Sequence, residues 1–199
     1  MQVCAASREL RFFLNGVDQG VAFRDLPLDT PLYGAVSLYR KDSQIVYNVR
    51  ISVGLHAYRH IHVCVSCVHA RALCCCLSQG LARKWQTSQQ RKGKQISISG
   101  TTVTKTNQSW GFGTAVVSDS VILQRGSRVK KRWSFTIKAG DQHTIGVVTA
   151  AYNATSDEYV NKTKNGWGYY QGSGNKGHGG PANDAYGAKY KTGDVVDGL

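Results

Sequence analysis

The chain has 199 residues, 41% of them hydrophobic, with only three prolines and a formal net charge of +13. That length suits one domain with an appendage, and the composition excludes a proline-rich disordered chain. The charge is uneven: residues 84–140 carry eleven Lys/Arg against one Asp/Glu, whereas residues 1–53 carry six against five and residues 141–199 five against six.

The predicted elements, in chain order, are short strands. ELRFFLN (9–15) runs into Asn15-Gly16, and GVAF (20–23) returns after Val17, Asp18 and Gln19, which predicts a hairpin with a longer loop. Pro27 and Pro31 bracket a loop, after which GAVSLY (34–39) and QIVYNV (44–49) predict a second strand pair around Lys41 and Asp42. Residues 54–83 differ in kind. They hold five of the six cysteines and four of the six histidines, contain no acid, and show neither a period of two nor helix caps. They read as a linker or insertion. From residue 84 the pattern is β again: QISIS (95–99), TTVTKT (101–106), WGFGTAVVS (110–118), RWSFTIK (132–138), HTIGVVTAA (143–151), GWGYY (166–170) and DVV (194–196). Residues 171–183 read as a long glycine-rich loop whose backbone needs positive φ at several positions. With 22 glycines and ten tyrosines, many short strands and frequent turns predict an all-β sandwich or barrel.

The Cys/His segment contains His60, His62, Cys64, Cys67, His69 and Cys74–Cys76. Thiolate and imidazole suit a structural zinc ion, and the Cys74–Cys76 triplet suits reversible acylation. The pattern lacks a second C-x-x-C or a finger-spaced H-x₃₋₅-H, so a linker with reduced thiols is the reading adopted. No metal and no cofactor is expected. Arg71 interrupts the apolar run 60–82, which leaves no membrane span. Arg8 and Glu9 leave no room for a secretion signal. The expected location is the cytoplasm, with the nucleus as the alternative. The sequons at Asn107, Asn153 and Asn161 are read as chance. Arg128, Lys130, Lys131 and Arg132 form the densest part of the basic region 84–132. That run suits a solvated face or a patch for anionic surfaces or RNA, but is too short and too poor in aromatics to mark a nucleic-acid surface by itself.

For catalysis, His143 and His178 lie in no G-x-S-x-G or comparable setting, and GSGNKGHGG (172–180) lacks the ending of a phosphate-binding loop. The chain is therefore not read as an enzyme. Trp110, Trp133 and Trp167 are expected in the core. Trp167 and Tyr170 lie three apart on one strand and should face opposite sides.

Several segments carry a resemblance. WGFGTA (110–115), KRWSFTIK (131–138), IGVVTA (145–150), NGWGYYQGSGNKGHGG (165–180) and AYGAKYKTGDVV (185–196) resemble the N-terminal part of a SPRY domain, the core of B30.2. ELRFFLNGVDQGVAF (9–23) and LYGAVSLY (32–39) resemble its C-terminal part. The resemblance implies a bent two-sheet antiparallel β-sandwich, related to the jelly roll, that recognises a protein or peptide, often beside ubiquitin-ligase modules. The order departs from the family: residues 1–53 match the C-terminal half, residues 84–199 the N-terminal half, and 54–83 joins them. A circular permutant and a piece of a tandem SPRY array both fit. The resemblance further implies binding through loops at the sandwich end, at Tyr39 with Arg40 and at Tyr159; Tyr170, with the 171–180 loop nearby, is added from its place on the strand opposite in facing to Trp167. The alternatives are a lectin-like sugar binder, for which Asn183 and Asp184 are a thin basis, and an anionic-surface or RNA binder using residues 84–132.

Overall fold

The computed structural model describes residues 2–4, 8–27, 29–52, 91–108, 111–117 and 130–198. The linker reading of residues 54–83, the Cys/His cluster, Trp85 and Trp110 lie outside the described residues, as do residues 84–90 and 118–129 of the basic region. No helix among the described residues is long and apolar enough to cross a membrane.

The strands are β1 (Gln2–Cys4), β2 (Glu9–Leu14), β3 (Val17–Phe23), β4 (Leu32–Leu38), β5 (Gln44–Ser52), β6 (Ile96–Ser99) and β7 (Thr102–Lys105), followed by β8 (Gly113–Val116), β9 (Lys130–Ala139), β10 (Thr144–Thr149), β11 (Gly166–Tyr170), β12 (Asn175–His178), β13 (Asp184–Ala185) and β14 (Val195–Gly198). They form two antiparallel sheets. One has eight strands in the order β1-β2-β14-β9-β5-β7-β6, with β3 paired to β2; the other has six in the order β13-β12-β11-β10-β4-β8. The fold is the all-β sandwich expected from the strand and turn pattern. Both sheets draw on strands before residue 53 and after residue 90: β5 pairs with β9, and β4 lies between β10 and β8. Along β2, Val196 and Asp197 face Leu14 and Phe13, and Gln2, Val3 and Cys4 face Arg11, Leu10 and Glu9, so β14 and β1 follow one another on the same edge.

Period-two burial builds the core. On β9, Trp133, Phe135 and Ile137 are buried and alternate with Ser134 and Thr136, which are half-buried. Phe12, Ile45, Tyr47 and Phe135 of the larger sheet meet Val36, Leu38, Ile145 and Tyr169 of the smaller in one apolar cluster. Burying side chains of this size contributes about 2 kcal/mol each. The smaller sheet is buried on its other face too: Ala35, Val116 and Val148 pack against Tyr152, Ala154 and Val160 of the segment between β10 and β11. Trp133 and Trp167 are core residues, as expected.

Three local expectations are corrected. The β2–β3 turn is not a longer loop but a two-residue turn: Leu14 faces Val17, with Asn15 at φ 50° and Gly16 at φ 84°. Both residues take the left-handed region that a primed hairpin turn requires. Register shifts between Leu10 and Phe13 absorb the irregularity placed in the turn by the sequence reading. Secondly, β4 and β5 do not pair. Asp42 at φ 64° and its N–H bond to the Lys105 carbonyl oxygen (2.9 Å) turn the chain from one sheet into the other. Six of the seven β4 residues are buried, which demands neighbours on both edges, and β10 and β8 supply them. Thirdly, residues 171–183 are not all loop: Asn175–His178 forms β12, with Gly168 opposite Gly177. Gly174 and Gly179 do take positive φ (76° and 67°), but Gly177 is needed for space. A Cβ there would lie 2.8 Å from Ala182 Cα and 2.9 Å from the Pro181 carbonyl oxygen.

Two outcomes follow from the core. A Cβ at Gly146 would fall on the Trp167 carbonyl oxygen and within 2.9 Å of Gly168 Cα, where only backbone could yield. Gly146→Ala should lower stability by about 3 kcal/mol, read as a shifted urea midpoint. His143 is fully buried, and neither ring nitrogen has a hydrogen-bond partner among the described residues. Burial lowers its pKa to about 4, opposed by Asp141. The unfolded chain therefore takes up a proton that the folded one refuses, and stability falls as pH drops from about 6.5 toward 4, by at most about 3 kcal/mol. Urea titrations across that window should show a shallower pH slope for His143→Leu than for the wild type.

Candidate functional site

The site begins with small residues on the outer face of the smaller sheet. A Cβ on Gly166 would strike the Val160 carbonyl oxygen, and one on Gly168 would lie 2.8 Å from Asn161 Oδ1. Their absence lets residues 150–165 lie directly on β11. Polar links fix that segment. The Val160 N–H donates to Ser37 Oγ (2.9 Å), and Thr114 Oγ1 donates to the Glu158 carbonyl oxygen (2.9 Å). Ser37 Oγ and Thr114 Oγ1 are 2.7 Å apart. Because the Thr114 hydrogen goes to Glu158, Ser37 is the donor in that pair. Tyr152 OH also donates to the Glu158 carbonyl oxygen (3.2 Å), and burial raises its pKa to about 12. Asn161 Nδ2 donates to the Gly180 carbonyl oxygen (2.9 Å), which ties the segment to the turn after β12.

This anchoring brings together aromatic rings from four separate stretches of chain. Phe112, just before β8, packs on Tyr39 after β4 (centroids 4.9 Å, 47°) and edge-on against Tyr159 (4.9 Å, 63°). Such pairs add about 1 kcal/mol each beyond their buried area. Tyr159 directly precedes the 3-10 turn Val160–Lys162, and Lys162 Nζ stands 6.0 Å from its ring centroid. Phe112, Tyr159 and Tyr170 line a cavity of about 250 Å3 with Thr144, Asn161, Pro181, Ala182 and Asn183. Trp167 and Tyr170 do face opposite sides of β11, Trp167 toward the core and Tyr170 toward this cavity.

A buried cation holds two of these walls in place. Lys105 is fully buried. Its Nζ donates to Gln95 Oε1 and to the Gly111 carbonyl oxygen (2.8 Å). Gln95 Nε2 in turn donates to Asp157 Oδ1 (3.0 Å), and the Phe112 N–H to the Asp157 carbonyl oxygen (3.2 Å). Burial lowers the Lys105 pKa, and the Asp157 carboxylate opposes that shift.

The four residues singled out from the sequence meet here in different roles. Tyr159 and Tyr170 line the cavity, while Tyr39 packs against Phe112 from outside the lining. Arg40 is exposed and pairs with Asp141 (Nε–Oδ1 2.6 Å). Burial, followed by Asp141, raises the Tyr170 pKa, and Arg40 opposes them, which places that ion pair beside Tyr170. Phe112, Asn161 and the Pro181–Asn183 turn were missed. Phe112 stood in the WGFGTA motif, a usable signal. Asn161 carries no signal in the sequence beyond a sequon, and its place depends on Gly168 and Gly177 leaving room for it. Of the thin sugar-site pair, Asn183 lines the cavity, whereas Asp184 is exposed on β13 opposite Lys176. The His178 ring stacks flat on Trp167 (4.4 Å, 6°).

No family model, curated protein or solved structure matches the chain.

The clamp makes its own test. Lys105→Met removes the donors and leaves Gln95 Oε1 and the Gly111 carbonyl oxygen facing an apolar chain. Stability should fall by about 2 kcal/mol, and the near-ultraviolet circular dichroism of the Phe112–Tyr159 contact should weaken. Unchanged spectra and melting would show that the cation does not hold these walls.

Proposed function

We propose that the chain is a SPRY-type sandwich acting as a non-catalytic binding module. It takes a short segment of a partner protein into the aromatic cavity at the sandwich end. The observation that carries this reading is the convergence of Phe112, Tyr159 and Tyr170, from three stretches of sequence, on a cavity of about 250 Å3, with Tyr39 from a fourth packed behind Phe112. That volume suits one large side chain rather than a whole drug-sized ligand. Tyrosine supplies wide, stiff contact area with one directed hydrogen bond, which is why it dominates binding energy at protein interfaces. The walls are held by buried hydrogen bonds, so little ordering is needed on binding. A role as the recruiting part of a ubiquitin-ligase-type protein, in the cytoplasm or nucleus, follows from the SPRY resemblance. The exchanged order of the two halves, by permutation or by tandem repetition, belongs to the same proposal.

The test is to pan a random peptide library displayed on phage against the full chain and to measure the recovered peptides by calorimetry. Tyr159→Ala and Tyr170→Ala should each weaken binding by about 2 kcal/mol while the chain stays folded, with the melting temperature lowered by only a few degrees. Peptides bound equally well by both variants and the wild type would remove the cavity from the binding site.

A further inference from the structure

We propose that an open groove on the far side of Tyr170 is a second subsite, which takes a carboxylate side chain of the same peptide whose anchor fills the cavity. This rests on the cavity reading above and adds the chemistry of the partner. The groove measures about 680 Å3 and runs between three segments: the β9–β10 turn with Asp141, the β11–β12 turn with Gly172, and residues 189–192. Tyr170 lines both the groove and the cavity, so a chain leaving one passes directly into the other. The position of that ring is set by Gly172, where a Cβ would lie 2.8 Å from Tyr170 Cε1 and 3.0 Å from its hydroxyl oxygen.

The charge of the groove decides what it accepts. Its lining holds Asp141, Lys189 and Lys191. Asp141 is neutralised by Arg40 at 2.6 Å. Neither lysine forms an ion pair among the described residues, and both are exposed. The nearby Asp194 does not line the groove; its carboxylate accepts from Asn15 Nδ2 and the Lys191 backbone N–H (2.9 and 2.8 Å). Two cations with no ion pair among the described residues line a groove that shares Tyr170 with the aromatic cavity, so an anionic group at a fixed distance from an apolar anchor complements the surface. Charges placed in this way select partners and speed encounter more than they add affinity. A peptide meets both requirements, because side chains two apart on an extended chain fall on one face.

The same library panned against the full chain decides the matter. Recovered peptides should carry Asp or Glu at one fixed offset from an aromatic or large aliphatic residue. Combining Lys189→Ala with Lys191→Ala should weaken their binding about fivefold while leaving the melting temperature unchanged. Replacing the peptide acid by its amide should weaken binding to the wild type by the same factor and have no further effect on the double variant. The loss should shrink at high salt. Peptides that require Tyr159 but bind the lysine double variant as well as the wild type would overturn the groove and leave the cavity standing. Recovery of no peptide, or of peptides indifferent to Tyr159→Ala, would remove both. Salt-steep binding of a uridine oligonucleotide that disappears in the lysine double variant would assign the groove to phosphate and overturn the proposal.

Discussion

The close approach of residues 150–165 to the outer face of the smaller sheet is the constraint on which the rest depends. It is possible only because Gly166, Gly168 and Gly177 present no side chain there. Glycine in a strand interior weakens it and leaves nothing to pack, so three of them on adjacent strands call for a compensating layer. That layer comes from the chain itself: Tyr152, Ala154 and Val160 cover Ala35, Val116 and Val148, and Asn161 fills the space above Gly168 and Gly177. The result is a sheet whose central strands are buried on both faces, with no exposed residue on β10.

The cavity is a consequence of that covering layer. Once the Val160 N–H is fixed to Ser37 and the Glu158 carbonyl to Thr114, Tyr159 has few directions left to it. Its ring meets Phe112, whose backbone is tied to Asp157, and Asp157 is tied through Gln95 to buried Lys105. Surface ion pairs contribute little to stability. A buried cation with its hydrogen bonds satisfied costs desolvation but sets geometry, here the placing of Phe112 against Tyr159. The fold therefore invests its polar interior around the cavity. The opposite side of β11, carrying Trp167 and Tyr169, is occupied by ordinary apolar packing.

Tyr170 links the interior to the surface. It stands at the end of β11, pairs in register with Thr144 of the cavity wall, and rests over Gly172. One side of the ring belongs to an aromatic hollow and the other to a groove with exposed lysines. A module with that division can separate two tasks. In the proposed reading the hollow would supply most of the affinity through desolvated contact, and the groove selectivity through charge.

Period-two alternation and turn residues were enough to read the strands β2, β6, β7 and β9 from the sequence, because burial of one strand face is a local property of the chain, while β10 and β11, buried on both faces, read as short apolar runs between turn residues. The same alternation separated Trp167 from Tyr170 correctly. Tyr39, Arg40 and Tyr159 could be named from a resemblance and Tyr170 from its strand facing, but nothing local showed that Phe112 would join them, since Tyr39 and Phe112 touch only after β4 and β8 have paired. The partners of β4 were beyond the sequence for the same reason. β4 and β5 are neighbours in the chain and look like a hairpin, yet a strand buried on both faces must find two partners, and β10 and β8 lie more than seventy residues away. The glycines of 171–180 looked like loop because sequence shows that a side chain is missing, not what fills its place. Only the tertiary structure brought Asn161 over Gly168 and Gly177 and turned that stretch into a strand.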